Sequence, residues 1–391
     1  MIIPVYHSEI AETKFRGRIV TLQQLAVTIG IAISFWMNAS KYVYHNIYVS
    51  MNIYILFLVL YNPVDLTSQL WRYSLGVQMI PSLMLTIGIL LCPFSPRWLI
   101  SRDHVDEAQT ILRKIRQGSD DEIKEEINRI IKEVVYLREN EIDSYRHLFR
   151  RPFLRPLLLG IGIHVLQQLT GINIVVYYAP RILVPDWYRF LAIFEDSYTQ
   201  IFIFTGIFGT INVLFTILTL FFIDKIGRRR LLILGATIMC ISMLSVSTIR
   251  INVLNNGTDD YDGYINSAQF RIIATLIGIF VIGFCISWGP IPWIYCTEIF
   301  PLTMRARATS LTTATNWVTN SAISFLVPIG LPAIGSGVFI IFAILCGIMV
   351  FIIFSLYPET KDKHLERDIT SDRTNNYSTF SEQGRESINP T

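Results

Sequence analysis

The sequence predicts an all-α polytopic membrane protein, on three observations. Of its 391 residues 52% are hydrophobic and 16% charged, with a mean hydropathy of +0.44, the balance of a lipid-embedded chain. Apolar stretches close to the ~20 residues that a bilayer requires recur along its length. Lys and Arg gather in short clusters between those stretches, so the net charge of +3 forms no basic face for nucleic acid. Five cysteines without CxxC pairing and six histidines without ligand spacing predict neither a disulfide frame nor a metal site. With no nucleophile elbow or phosphate loop either, neither enzyme activity nor a cofactor is expected.

Taken in order, the chain opens on the end of an apolar segment and a turn carrying Lys14, Arg16 and Arg18. The span 21–37 follows, with Gln24 as its polar insert, and then the sequon Asn38-Ala39-Ser40. Residues 47–62 are apolar but short, and counting them as a span would invert every later loop, so they are expected to be an insert. The span 71–92 ends at Pro93-Phe94-Ser95-Pro96-Arg97. Residues 97–151 turn amphipathic: Ile123, Ile127, Ile130, Val134 and Leu137 step by four and three, behind a capping box at Ser119 and Glu122. Spans at 156–178, 200–223, 231–248, 272–295, 308–326 and 337–357 bring the expected total to eight. Lys225, Arg228, Arg229, Arg230, Arg305 and Arg307 then share one side with the first basic turn, which the positive-inside rule makes cytoplasmic. Both sequons, at Asn38 and Asn256, fall on the other side, and the tail 358–391 is polar enough to be disordered and cytoplasmic.

One stretch departs from lipid chemistry. Gln167-Gln168-Leu169-Thr170-Gly171-Ile172-Asn173 places three carboxamides in seven residues, followed by Tyr177 and Tyr178. Uncharged paired donors and acceptors suit a neutral ligand with many hydroxyls, such as a sugar. A polar contact between helices is the alternative. Gly171 loosens the helix there. Gly289, Pro290 and Pro292 interrupt another span, as a hinge or as a packing kink. The tyrosines read equally as interface aromatics or as an outer gate.

The chain also repeats itself. Tyr6-x-Ser8-Glu9-Ile10 with Arg16 and Arg18 recurs, at a constant offset of 289, as Tyr295-x-Thr297-Glu298-Ile299 with Arg305 and Arg307. Pro93-x-Ser95 and Pro358-x-Thr360 close the two halves. Counted from these markers, about 135 residues expected at the front of the first half are lacking, enough for most of four spans.

These motifs, with Asp224-Lys225-x-Gly227-Arg228-Arg229, Gly289-Pro290-Ile291-Pro292-Trp293, Asn316-Trp317 and Pro358-Glu359-Thr360-Lys361, make the chain resemble the sugar porter family of the major facilitator superfamily, most closely its fungal hexose transporters. The resemblance implies a major facilitator fold of twelve helices, of which this chain would hold helices five to twelve and the end of four. Residues 1–96 would be the remnant of one six-helix half, 97–151 a cytoplasmic linker and 152–357 the other half. It further implies that Gln24, Gln167, Gln168, Asn173, Asn212, Trp293 and Asn316 meet the sugar. Tyr177, Tyr178, Gly289, Pro290 and Pro292 would gate it. Glu9, Arg16, Arg97, Asp224, Arg228, Arg229, Glu298, Arg305 and Glu359 would form a cytoplasmic latch, although the Glu-Arg elements also read as plain topology signals. The implied activity is transport of a monosaccharide through the bilayer, at the plasma membrane, as uniporter or proton symporter. A sugar sensor, or a shortened product that moves little sugar by itself, are the alternatives.

Overall fold

Among the described residues, the stretches expected to cross a bilayer are helical over most of their length. The computed structural model describes residues 6, 7, 10, 16–43, 76, 79–116, 119–140, 144–151, 153–177, 197–255, 267–335 and 337–360. The expected insert at 47–62, the tail beyond 360, Glu9, Tyr178 and Asn256 lie outside them. From the first half come α1 (Arg16–Val43) and α2 (Met79–Leu91). The linker supplies α3 (Pro96–Ser101), α4 (Val105–Ile115), α5 (Asp120–Asn140) and α6 (Tyr145–Leu148). The second half has α7 (Leu154–Leu169), α8 (Ser197–Ile226), α9 (Arg228–Asn255) and α10 (Ser267–Gly283). It continues through α11 (Ile291–Ile299), α12 (Leu302–Ile334) and α13 (Gly337–Leu356).

Some boundaries moved. The α1 helix runs six residues past the expected end of its span, so the backbone at Asn38 is helical and the first sequon does not begin a loop. The α12 helix is longer than expected at both ends, starting directly after Pro301 and stopping before Gly335, whose φ is +57°. Its first turns carry the Arg and Thr residues that hydropathy had assigned to a loop. Among the described residues, five helical stretches are long and apolar enough to cross a membrane, Gly17–Met37 and Gly337–Leu356 among them.

Close helix contacts are made where side chains are small. The α1 and α8 helices touch with Gly209 above the backbone of Ala32 and Gly206 under the Trp36 ring, and Trp36 Nε1 donates to Thr210 Oγ1 at 2.9 Å. With no hydrophobic drive between helices in lipid, such close van der Waals packing and interhelical hydrogen bonds hold them together. Large apolar residues such as Leu214, Phe221, Phe351 and Phe354 point outward, as lipid contact demands.

The linker has a core of its own. Leu99, Ile100, Ala108 and Leu112 pack against Ile123, Ile127, Ile130 and Val134 of α5. Its capping box is formed, Ser119 N donating to Glu122 Oε2 at 3.0 Å and Glu122 N to Ser119 Oγ at 3.4 Å. The linker meets the bundle through Tyr145 and Ser310 of α12, whose hydroxyls are 3.3 Å apart.

Candidate functional site

The site begins with a break dictated by proline. Pro290 and Pro292 have no N–H, so the helix from α10 cannot close its ladder onto Ile286 and Trp288. The chain answers with a π-helical turn over Phe284–Trp288, in which Gly289 N reaches back to Phe284 O at 2.9 Å. Three carbonyls around this break are taken up by side chains from neighbouring helices. Thr219 Oγ1 of α8 donates to Cys285 O at 3.3 Å, and Gln167 Nε2 of α7 donates to Trp288 O at 2.7 Å and Gly289 O at 3.2 Å. Trp288 itself is pinned to α9, its Nε1 donating to Leu232 O at 3.0 Å.

A second break presents the amides. The α7 helix stops at Thr170, and Gly171 follows at φ +84°, a conformation open to glycine, with the Phe342 ring of α13 lying where a Cβ would stand. Thr170 Oγ1 donates to Gln167 O at 2.7 Å and accepts from Ile172 N at 3.3 Å, starting the short helix over 172–177. The amides around this break bind one another. Asn173 Nδ2 donates to Gln168 Oε1 at 2.6 Å, Gln168 Nε2 to Asn316 Oδ1 at 3.1 Å, and Asn316 Nδ2 to Gln167 Oε1 at 2.8 Å. All four are buried, and no charged side chain takes part in these bonds. His164 joins them, its Nδ1 3.1 Å from Asn316 Nδ2, and its ring meets Trp293 edge-on at 4.8 Å.

At the other end of these helices the material is ionic. Arg228 Nη2 lies 2.9 Å from Asp224 Oδ1 and 2.8 Å from Glu298 Oε1, and the guanidinium is almost fully buried. Glu298 Oε2 also accepts from Thr360 Oγ1 at 2.6 Å. Glu359 caps α9: its Oε1 accepts from Arg228 N at 2.8 Å and its Oε2 from Arg229 N at 3.2 Å, where a helix N-terminus favours an anion. Gly227, at φ +103°, leaves the room this carboxylate occupies. The α1 helix reaches the same cluster, with Arg18 Nε 3.7 Å from Asp224 Oδ2 and Gly17 directly against that carboxylate.

Uncharged amides around two helix breaks, above a buried ionic cluster, are now joined by sequence likeness. The family model described as "Sugar (and other) transporter" matches residues 1–368. The chain belongs to this sugar transporter family. It is 30% identical over 374 residues to the galactose-proton symporter of Escherichia coli K12, covering 95% of this chain and 71% of that protein. To the high-affinity glucose transporter of Kluyveromyces lactis it is also 30% identical, over 402 residues, 96% of this chain and 66% of the relative. Among solved structures it is similar to the proton:xylose symporter XylE bound to 6-bromo-6-deoxy-D-glucose, with a TM-score of 0.71 and 26% identity over 93% of this chain and 68% of that one. The inward-open form of XylE from E. coli agrees less well, at a TM-score of 0.61 and 25% identity. Membership of this family and the apolar spans make the chain an integral, multi-pass membrane protein with a major facilitator fold, and not an enzyme. The family match starts at residue 1 and lends no support to the expectation that the first helices are lacking.

Within this transporter the expected sugar-facing residues separate into groups. Gln167, Gln168, Asn173 and Asn316 are one hydrogen-bonded cluster, with Trp293 beside it through His164. Gln24 of α1 points its Nε2 at Gly289, 3.3 Å from where a Cβ would be. Asn212 is held apart from those bonds, its Oδ1 accepting from Cys285 Sγ at 3.0 Å. Of the expected gate, Gly289, Pro290 and Pro292 form the break, and Tyr177 is exposed. Of the expected latch, Asp224, Arg228, Glu298 and Glu359 meet, while Arg305 Nε donates to Phe300 O at 3.2 Å and Arg229 reaches Phe354 O. The side chain of Arg16 is outside the described set. Arg97 faces the linker, where it pairs with Glu133 at 2.7 Å as α3 packs onto α5.

Sequence reasoning also missed partners. Asn320 Nδ2 donates to Gln168 Oε1 at 3.4 Å and Ser324 Oγ to Asn320 Oδ1 at 3.3 Å. The spacing Asn316, Asn320, Ser324 puts all three on one face of α12, a signal the chain carried in plain view. Thr360 was taken only as a motif letter, although it is bonded to Glu298.

Proposed function

We propose that this chain carries a hexose across the membrane by alternating access, as uniporter or proton symporter, with Gln24, Gln167, Gln168, Asn173, Asn212, Asn316 and the Trp293 indole as its sugar-facing groups. One observation carries the reading: five neutral carboxamides, Gln167, Gln168, Asn173, Asn316 and Asn320, converge inside an apolar bundle and bind each other without a charge among them. Amides exchange partners readily with hydroxyls, and a half-buried indole offers its face to the apolar side of a pyranose. Each such hydrogen bond contributes about 0.5–1.5 kcal/mol, so four or five would supply the ~4 kcal/mol of millimolar binding. Weak binding lets a carrier release its load.

The relatives' names speak of galactose, glucose and protons, which supports a monosaccharide and makes a proton a reasonable co-substrate. The ionic cluster of Arg228, Asp224 and Glu298 serves as the cytoplasmic latch in this reading, with the linker and the tail on the same side and the plasma membrane as the site of action. Uptake of labelled hexose into transporter-deficient cells tests the proposal. Saturable uptake, lost in Gln168→Leu and Asn173→Leu at unchanged expression, is expected. Uptake that both variants leave untouched sinks it, and repeating the assay with and without an imposed proton gradient separates uniport from symport.

A further inference from the structure

Two sets of arginines differ along the linker. Arg97, Arg113, Arg116 and Arg138 each face a carboxylate, that of Glu133, Asp120, Glu126 and Asp103 respectively, at 2.7, 3.1, 3.1 and 2.9 Å. Arg146, Arg150, Arg151 and Arg155, where the linker passes through α6 into α7, face none. All four are exposed, and among the described residues no hydrogen bond or ion pair reaches their guanidinium groups. The local sequence supplies no counter-charge, since no Asp or Glu occurs from Ser144 to Pro185.

This cationic segment is fastened to the bundle. Leu148, the last residue of α6, is fully buried in the bundle core, and the Tyr145 hydroxyl lies 3.3 Å from that of Ser310 on α12. Its aromatic rings point outward, Tyr145 being 53% and Phe149 55% exposed. Arg155 precedes the exposed Leu158 by three residues, on the same face of α7. The charge therefore begins within one turn of the lipid-facing apolar surface. At the other end of the linker, just past α2, exposed Phe94 and Trp98 stack at 4.9 Å with Arg102 5.8 Å from the Trp98 ring. Aromatic rings and cations so close to the end of a span belong at the boundary of lipid and water.

We propose that Arg146, Arg150, Arg151 and Arg155, with the rings of Tyr145 and Phe149, bind the headgroups of anionic phospholipids in the leaflet beside the linker. Guanidinium forks match phosphate oxygens bidentately, and the rings suit headgroup depth. The positive-inside rule puts this end of α7 at the cytoplasmic leaflet, where anionic lipids are found. Lipid held there pins α6 and, through Tyr145, its contact with α12. The site is about 18 Å along α7 from Gln167 and needs no sugar.

The full chain, purified in an uncharged detergent and titrated with fluorescent phosphatidylglycerol or phosphatidylcholine, tests the site. Saturable binding of phosphatidylglycerol, about tenfold or more tighter than that of phosphatidylcholine and weakening as salt is added, is expected. At about fivefold per arginine, Arg150→Gln with Arg151→Gln should weaken phosphatidylglycerol about twentyfold and leave phosphatidylcholine within about twofold. Arg113→Gln with Arg138→Gln removes the same charge from carboxylate-paired positions and should change neither lipid by more than about twofold. Should the first double variant not be recoverable, Arg146→Gln with Arg155→Gln serves the same comparison. Unchanged phosphatidylglycerol affinity in the unpaired-arginine variant overturns the site, as does equal affinity of the wild type for the two lipids. A loss just as large in the paired-arginine variant reduces the effect to net charge and overturns it too. Inorganic phosphate that displaces the lipid at equal concentration makes the arginines a free-anion site and overturns the lipid assignment.

Discussion

The amide cluster between α7 and α12 and the ionic cluster joining α8, α9 and α11 are built from opposite materials in the same bundle. In the first, neutral groups bond one another, and each bond can be traded for one to a hydroxyl at little net cost. In the second, a nearly fully buried guanidinium lies under 3 Å from two carboxylates, and removal of any one member strands a charge. The contrast teaches what each region suits. Cheaply exchanged amides suit a ligand that must come and go, whereas a buried ion cluster resists partial change.

The largest test of this contrast is Arg228→Ala. Two carboxylates that lose their nearest cation should destabilise the protein by about 3–5 kcal/mol, read as a loss in unfolding midpoint of the purified protein. A loss no greater than that of a surface pair would break the comparison. Gln168→Leu comes next: Asn173 and Asn316 lose their partner, at a cost of about 1–3 kcal/mol, and hexose affinity should fall by more than stability does. Titration and thermal unfolding of one preparation separate the two effects.

Gly17→Ala sharpens the ionic side. A Cβ there would stand 2.2 Å from Asp224 Oδ1 and 2.9 Å from an Arg228 nitrogen, so α1 must shift or the cluster must open, for about 1–3 kcal/mol. Gly30→Ala on the same helix meets nothing within 4 Å and should leave the unfolding midpoint where it is. The smallest effect belongs to Arg138→Ala. Its pair with Asp103, 2.9 Å apart, has side chains 49% and 82% exposed, so about 0–1 kcal/mol is expected, shrinking as salt is added. A large loss there would mean that burial is not what sets the ionic cluster apart.

Much of the architecture was legible in the residues. Gly171 and the Gly289-Pro290-Ile291-Pro292 run marked both breaks, since positive φ and missing N–H groups act wherever they occur. The capping box at Ser119 and the Ile123, Ile127, Ile130, Val134 stripe marked α5 for the same local reason. The α1 and α12 helices extend beyond the expected spans because hydropathy registers where lipid stops, while a helix continues as long as its ladder can close. That Arg97 pairs with Glu133 depends on how α3 lies on α5, which no motif shows.

Hydropathy, proline and glycine act over a few residues, and so five of the eight expected spans, the two breaks and the concentration of amides followed from the sequence alone. Which amide would answer which orphaned carbonyl did not. Gln167 and Gln168 are the same side chain in adjacent positions, and only the packing of α7 against the π-turn and α12 directs one to backbone and the other to its fellow amides. Hydrogen-bond partners 121 and 148 residues apart in the chain are selected by helix rotation and crossing, which are properties of the folded bundle.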